Sequence, residues 1–178
     1  IDQIKFSNNI KDIYVYTSNL KNKKIAKAKG IKLTLEREND TDFYNDIISS
    51  TRNFINKIEA KGFYYDYLMV LTENFPFRSK KIFDKMIRLA INKNHDVVFL
   101  SQNLKGSIFQ KKDNKYKNIV NGFIPSKINK EMLLSRIGVA SLFKISKIRS
   151  GDILEKNIGF IIDKNHETFI EINNNNIK

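Results

Sequence analysis

Five polar stretches, each expected to follow an apolar strand, carry the side chains able to do chemistry in this 178-residue chain. They are Thr17-Ser18-Asn19, Arg37, Thr72 to Arg78, Arg136-Ile137-Gly138 and Glu171-Ile172-Asn173. Hydroxyls, amides and guanidinium groups of this kind suit anionic oxygens. Glu171 and Asn173 are two residues apart, so on a strand both side chains project to one face. Two oxygen donors so placed can hold a Mg²⁺ that also touches phosphate oxygens. A solvent-facing edge strand accounts for the same spacing, and from the motif alone it is the better reading. Other chemistries lack their signatures. No Gly-x-x-x-x-Gly-Lys-Ser/Thr loop, Gly-x-Gly-x-x-Gly turn or Gly-x-Ser-x-Gly elbow occurs. The chain has two histidines and no cysteine, which excludes disulfides and thiolate metal sites and argues against a histidine cluster. His95 reads as a surface residue beside Asp96, and His166 as part of a polar turn.

The elements that must position these stretches centre on residues 65–91. Tyr67-Leu68-Met69-Val70-Leu71 is short, apolar and partly β-branched, as a strand buried on both faces is. Pro76 ends it. Ser79 is a candidate cap for a helix whose face is Ile82, Phe83, Met86, Ile87, Ala90 and Ile91, closed by Asn92 and Asn94. A second strand starts at Asp96-Val97-Val98-Phe99-Leu100, giving a right-handed β-loop-α-β unit. Upstream, the pattern predicts a helix end over residues 1–6, a strand at Ile13 to Tyr16, a helix at Lys21 to Lys29 ended by Gly30, and a strand at Ile31 to Leu35. A helix capped by Asp40, Thr41 or Asp42 follows, with Ile47, Thr51, Phe54, Ile55 and Ile58 on one face. The alternation argues a mainly parallel α/β sheet, whose ligands sit beyond the carboxyl ends of the strands. Downstream, Ser107 to Gln110 and Tyr116 to Val120 are expected to pair across Asp113-Asn114, a projecting hairpin suited to a dimer arm over residues 101–135. Strands are expected at Val139 to Phe143, Ile158 to Ile162 and Phe169 to Ile172, a helical turn over Ile145 to Leu154, and fraying over the terminal asparagines.

With 41% apolar residues, the whole of residues 1–178 is expected to form one domain. No apolar run approaches the roughly 18 residues of a membrane span, and no signal-peptide layout opens the chain. A soluble, cytoplasmic protein is therefore expected. The charge of +13 favours polyanions in general. Only six of the 32 basic residues are arginine, however, and these are scattered. Nucleic-acid readers cluster arginine for its fork geometry, so a nucleic-acid partner is disfavoured.

The order of these stretches resembles the cytidylyltransferases that activate acidic sugars, the CMP-N-acylneuraminate synthetase family. Val15-Tyr16-Thr17-Ser18-Asn19 is similar to its Val-Val-Ser-Thr-Asp, and Ile25 to Gly30 with Leu35-Glu36-Arg37 to its Ile-Ala-(x)n-Gly and Leu-Arg-Pro. Tyr65 to Leu71 followed by Pro76-Phe77-Arg78 resembles its Tyr-Asp-Tyr-Val-Val-Leu-Leu-Gln-Pro-Thr-Ser-Pro-Leu-Arg. Arg136-Ile137-Gly138-Val139-Ala140 looks like Arg-Asn-Gly-Ala-Ile, and Ile170-Glu171-Ile172-Asn173 looks like Ile-Asp-Ile-Asp. The resemblance implies a Rossmann-like fold of the nucleotide-diphospho-sugar transferase type, a homodimer joined through a projecting arm, and use of CTP and Mg²⁺. A nonulosonic acid's anomeric hydroxyl would attack the α-phosphate of CTP, releasing pyrophosphate. It implies Thr17, Ser18 and Arg37 at the nucleotide, and Thr72, Asn74 and Arg136 at the sugar acid. Arg136 and Arg78 would serve catalysis, and Glu171 and Asn173 the metal. The family's first strand and glycine-containing nucleotide loop are expected before Ile1. The departures are Thr72 for Gln, Glu73-Asn74-Phe75 for Pro-Thr-Ser, and Glu171-Ile172-Asn173 for Asp-Ile-Asp. Asn173 removes one negative charge from the metal site, and Phe75 makes the sugar loop more apolar. Either the substrate differs, or the chain is a catalytically degenerate relative that binds a sugar nucleotide or a partner subunit.

Overall fold

The computed structural model describes residues 2, 4–31, 33–35, 47–104, 106–120, 132–151, 153 and 157–172. A 3-10 turn (Ile4–Phe6) stands where a helix end was expected, and β1 (Tyr14–Tyr16), α1 (Leu20–Ala28) and β2 (Leu33–Leu35) follow. Then come α2 (Ile47–Glu59), β3 (Tyr67–Val70), α3 (Lys81–Lys93), β4 (Val97–Asn103), β5 (Ile108–Lys112) and β6 (Lys115–Val120). The chain continues through β7 (Leu133–Ser135), β8 (Ser141–Lys144), α4 (Ile145–Ser150) and β9 (Ile158–Ile162) to a 3-10 turn at His166–Phe169.

The centre of the fold is β4. Val97, Val98, Phe99 and Leu100 are all buried, because helices cover both faces of the sheet. Val98 and Leu100 join Ile82, Phe83, Met86 and Ala90 of α3 on one side. Val97 and Phe99 join Phe54, Ile55 and Ile58 of α2 and Ile148 of α4 on the other. Each such side chain contributes about 1.5–3 kcal/mol when fully buried.

The α/β class agrees with the sequence pattern, but strand adjacency does not. β3 and β4 point the same way, yet β8 lies between them and pairs antiparallel with both. Leu142 of β8 faces the α3 side and Phe143 the α2 side. β9 pairs parallel with β4 over Val97 to Ser101, which leaves the opposite edge of β4 to β8 and, beyond it, β7. β7 and β8 thus lie nearly end to end along β4, and the chain between them, residues 136–140, bulges toward the end of β3. β1 and β2 pair parallel in a separate two-stranded unit, joined to the rest by Tyr14 and Tyr16 packing on Phe54.

Several local expectations are corrected. Ser79 is not a side-chain cap: α3 follows Lys80, with no side-chain capping bond to the helix, and Ser79 contributes its carbonyl to Ile82 N–H at 3.2 Å. Phe169 to Ile172 is not a strand. The Asn165 side chain accepts from Glu167 N–H, and Thr168 donates to Asp163 at 2.7 Å, which winds this stretch into a turn. β7 was not anticipated. The β5–β6 hairpin does form, with Asp113 and Asn114 at φ 49° and 59°, the two left-handed residues of a type I′ turn. Its exposed face carries Phe109 and Tyr116.

Candidate functional site

Three of the expected stretches meet beyond the carboxyl end of β3. Thr72 N–H donates to Gly138 O at 2.9 Å, and Ile172 N–H donates to Asn74 O at 2.8 Å. The loop after β3 is therefore tied by backbone to the β7–β8 bulge on one side and to the segment after β9 on the other. The contact at Gly138 is close. A Cβ there would lie 2.5 Å from Thr72 Oγ1, so no larger residue lets the two loops touch this way.

Arg78 locks the junction from beneath. It is buried, and its guanidinium donates to Gly138 O at 2.7 Å and to the carbonyls of Thr72 and Val139. Burial pushes its pKa down to about 10, partly offset by the Glu73 charge. Arg78, expected in catalysis, here has its Nε and Nη2 groups on backbone carbonyls, where they hold the two loops together. Thr72 also lies below the surface. It is 6% exposed, and its hydroxyl donates to Gly138 O at 3.3 Å.

Above this layer opens a cleft of about 300 Å³ lined by Ile47, Phe75, Arg136, Ile137, Gly138 and Glu171. Phe75, only 2% exposed, is its floor. The Arg78 and Arg136 guanidinium carbons lie 5.8 Å and 5.9 Å from its ring centroid, so one ring touches both a buried cation and one that lines the cleft. Arg136 Nη1 donates to Glu171 Oε2 at 3.0 Å, and Asn74 Nδ2 donates to Glu171 Oε1 at 3.5 Å. With side chains 44% and 27% exposed, the Arg136–Glu171 pair stays wet and contributes about 0.2–1 kcal/mol. Asn74, Arg136 and Glu171, predicted from three separate stretches, are thus together.

Thr17 and Ser18 lie at the carboxyl end of β1. Thr17 Oγ1 accepts from Asn19 N–H at 3.1 Å, and the Asn19 side chain caps α1 through Lys21 and Asn22 N–H. Asn22 Nδ2 reaches Glu73 Oε1 at 3.4 Å, which links this loop to the one after β3. Arg37 and Asn173 lie outside the described residues. Glu171 has the oxygen donor a Mg²⁺ requires, but Arg136 holds it here, and among the described residues no group of three or more acidic or histidine side chains could hold an ion. The cleft walls Ile47 and Ile137 were not singled out as site residues. Ile47 belongs to the apolar face of α2, and periodicity does not separate the end of that face from its core.

A mixed sheet covered on both faces, with its polar loops gathered past β3, defines the α/β fold of the nucleotide-sugar transferases. Solved structures place it more closely. The chain is similar to CMP:2-keto-3-deoxy-manno-octonic acid synthetase solved with CTP, with TM-score 0.62 and 9% identity over 91% of this chain and 76% of that one. It is similar to a 4-diphosphocytidyl-2C-methyl-D-erythritol synthase, with TM-score 0.64 and 10% identity over 97% and 79%. The enzyme of that kind from Anaerococcus prevotii DSM 20548 gives 0.63 and 13% over 96% and 77%. At these identities the likeness carries the fold alone. No protein-family model and no curated protein matches the sequence. No helix among the described residues is long and apolar enough to cross a membrane.

Proposed function

We propose that this protein transfers CMP from CTP to a sialic-acid-like (nonulosonic) sugar acid, releasing pyrophosphate. The observation that carries the reading is the convergence of Arg136, Asn74 and Glu171 over Phe75 at the carboxyl end of β3, in a fold shared with a synthetase solved with CTP. The acceptor's carboxylate pairs with Arg136 and Asn74, and its apolar substituents lie on Phe75, Ile47 and Ile137. The sugar hydroxyl forms the new bond to the α-phosphorus, the bond to the bridging oxygen breaks, and pyrophosphate takes the electron pair while the hydroxyl proton is lost. Holding the hydroxyl in line is the chain's main contribution, since positioning and charge stabilisation carry phosphoryl-type transfer. Thr17 and Ser18, whose loop is linked to the one after β3 through Asn22 and Glu73, would serve the nucleotide, as would Arg37. Glu171 and Asn173 would hold a Mg²⁺, which when bound neutralises charge on phosphate oxygens. The β5–β6 hairpin is the proposed homodimer arm.

The test is pyrophosphate release from CTP and Mg²⁺ with a panel of nonulosonic acids, using the longest encoded form of the protein. Release with one acid and loss of it in Arg136→Gln are expected. A second reading, a degenerate binder of a sugar nucleotide or partner subunit, is favoured by one observation: both arginines expected in catalysis are engaged within the chain. It predicts CTP binding without pyrophosphate release for every acid.

A further inference from the structure

Both oxygens of Glu171 are held by residues that the proposed function assigns to the acceptor. Oε2 accepts from Arg136 Nη1 at 3.0 Å and Oε1 from Asn74 Nδ2 at 3.5 Å. The carboxylate thus bridges a guanidinium and an amide contributed by two different loops, at the mouth of a cleft of about 300 Å³ whose floor is Phe75. A planar anion with one oxygen on each donor is how a ligand carboxylate would sit there. We propose that Glu171 occupies the carboxylate seat of the acceptor site, and that an incoming carboxylate exchanges with it. The inference rests on the acid-acceptor reading and deepens it, because it names the residue that decides which acceptors enter.

Two features make the exchange physically cheap. The Arg136–Glu171 pair is partly exposed, with side chains 44% and 27% accessible, so water and salt already weaken it. The segment itself is anchored by backbone, through Ile172 N–H to Asn74 O at 2.8 Å, so the Glu171 side chain can swing out while the chain stays in place. Selectivity follows from charge. A neutral amide or ester offers Arg136 less than Glu171 does, and displaces it less readily. A carboxylate offers the same chemistry and competes with the tethered Glu171 once its concentration is high enough. The closed pair also spares Arg136 from facing the cleft as an uncompensated cation in the absence of ligand.

The experiment follows the ¹⁵N guanidinium signal of Arg136, identified by its loss in Arg136→Lys, during titration with sodium acetate, inorganic phosphate or acetamide, without nucleotide or metal. Wild type, Glu171→Gln and Glu171→Ala are compared. Removing the competitor should lower the acetate concentration for half-saturation about two- to five-fold in both variants. Acetamide should leave the signal unmoved throughout, and phosphate should respond more weakly than acetate. An acetate titration that is unchanged or weakened in both variants overturns the proposal, as does an equal response to acetamide. Phosphate binding well ahead of acetate overturns the carboxylate assignment. The acid-acceptor reading fails separately: no pyrophosphate release across the acid panel, with the Arg136 response to acetate intact and strengthened in the variants, sinks that reading and leaves the seat standing.

Discussion

Gly138→Ala tests the idea that the site rests on direct contact between two loops. The added Cβ would stand 2.5 Å from Thr72 Oγ1, 3.0 Å from Thr72 Cγ2 and 3.3 Å from Phe75 Cε2. Thr72 is short and branched, and its own N–H is bonded to Gly138 O at 2.9 Å, so it cannot move aside without parting the backbones. Parting them also disturbs the bond from Arg78 to Gly138 O. Overpacking of this kind costs about 1–3 kcal/mol, and the two strained hydrogen bonds put the expected loss in the upper half of that range. For a domain of this size that lowers Tm by about 4–12 °C. Thr72→Ala removes both of the closest atoms and alone should cost about 0.5–1.5 kcal/mol, since its hydroxyl bond is 3.3 Å long. The double variant should therefore be more stable than the sum of the single losses predicts, by about 1–2 kcal/mol. Urea unfolding of all four proteins measures this coupling. Losses that add within about 0.5 kcal/mol, or a Gly138→Ala protein as stable as wild type, would refute the reasoning.

Arg78→Met removes the guanidinium from the carbonyls of Thr72, Val139 and Gly138, of which Gly138 O keeps the Thr72 N–H, and should destabilise by about 2–4 kcal/mol. Arg78→Lys should recover only part of this in thermal unfolding, because one ammonium cannot span all three. Asn19→Ala removes the cap of α1 and should cost about 1 kcal/mol in denaturant unfolding, with the Asn22–Glu73 contact loosened in amide exchange. The Tyr65 phenol is raised above its usual 10.0 by burial and by its bonds to Asp12 and Tyr14. A folded-state pKa above the unfolded one means this contribution is complete below pH 10 and lost as pH rises beyond it. Tyr65→Phe should flatten that alkaline decline, and an unchanged slope would show that another group causes it.

Element types were legible because each rests on local signals. The helical spacing of Phe54, Ile55 and Ile58, and of Ile82, Phe83, Met86 and Ala90, identified two helices and their buried faces. Asp113-Asn114 between two strand-like runs identified a hairpin, because that turn needs two residues tolerant of positive φ. Net charge and the lack of cysteine bounded the chemistry in the same local way. The grouping of Asn74, Arg136 and Glu171 was legible only through the order of motifs.

Tertiary structure alone decided which strands are neighbours, since hydrophobic period reports which face of a strand is buried and says nothing of what lies beside it. β8 sits between β3 and β4, paired antiparallel with both, with Leu142 and Phe143 on opposite faces. That placement drives residues 136–140 against the loop after β3, and so determines the fate of the two arginines. Arg78 and Arg136 contact the same ring, yet one donates to backbone carbonyls and the other to a carboxylate. A guanidinium's role depends on which acceptors lie within about 3 Å of it, a distance that chain separation does not encode.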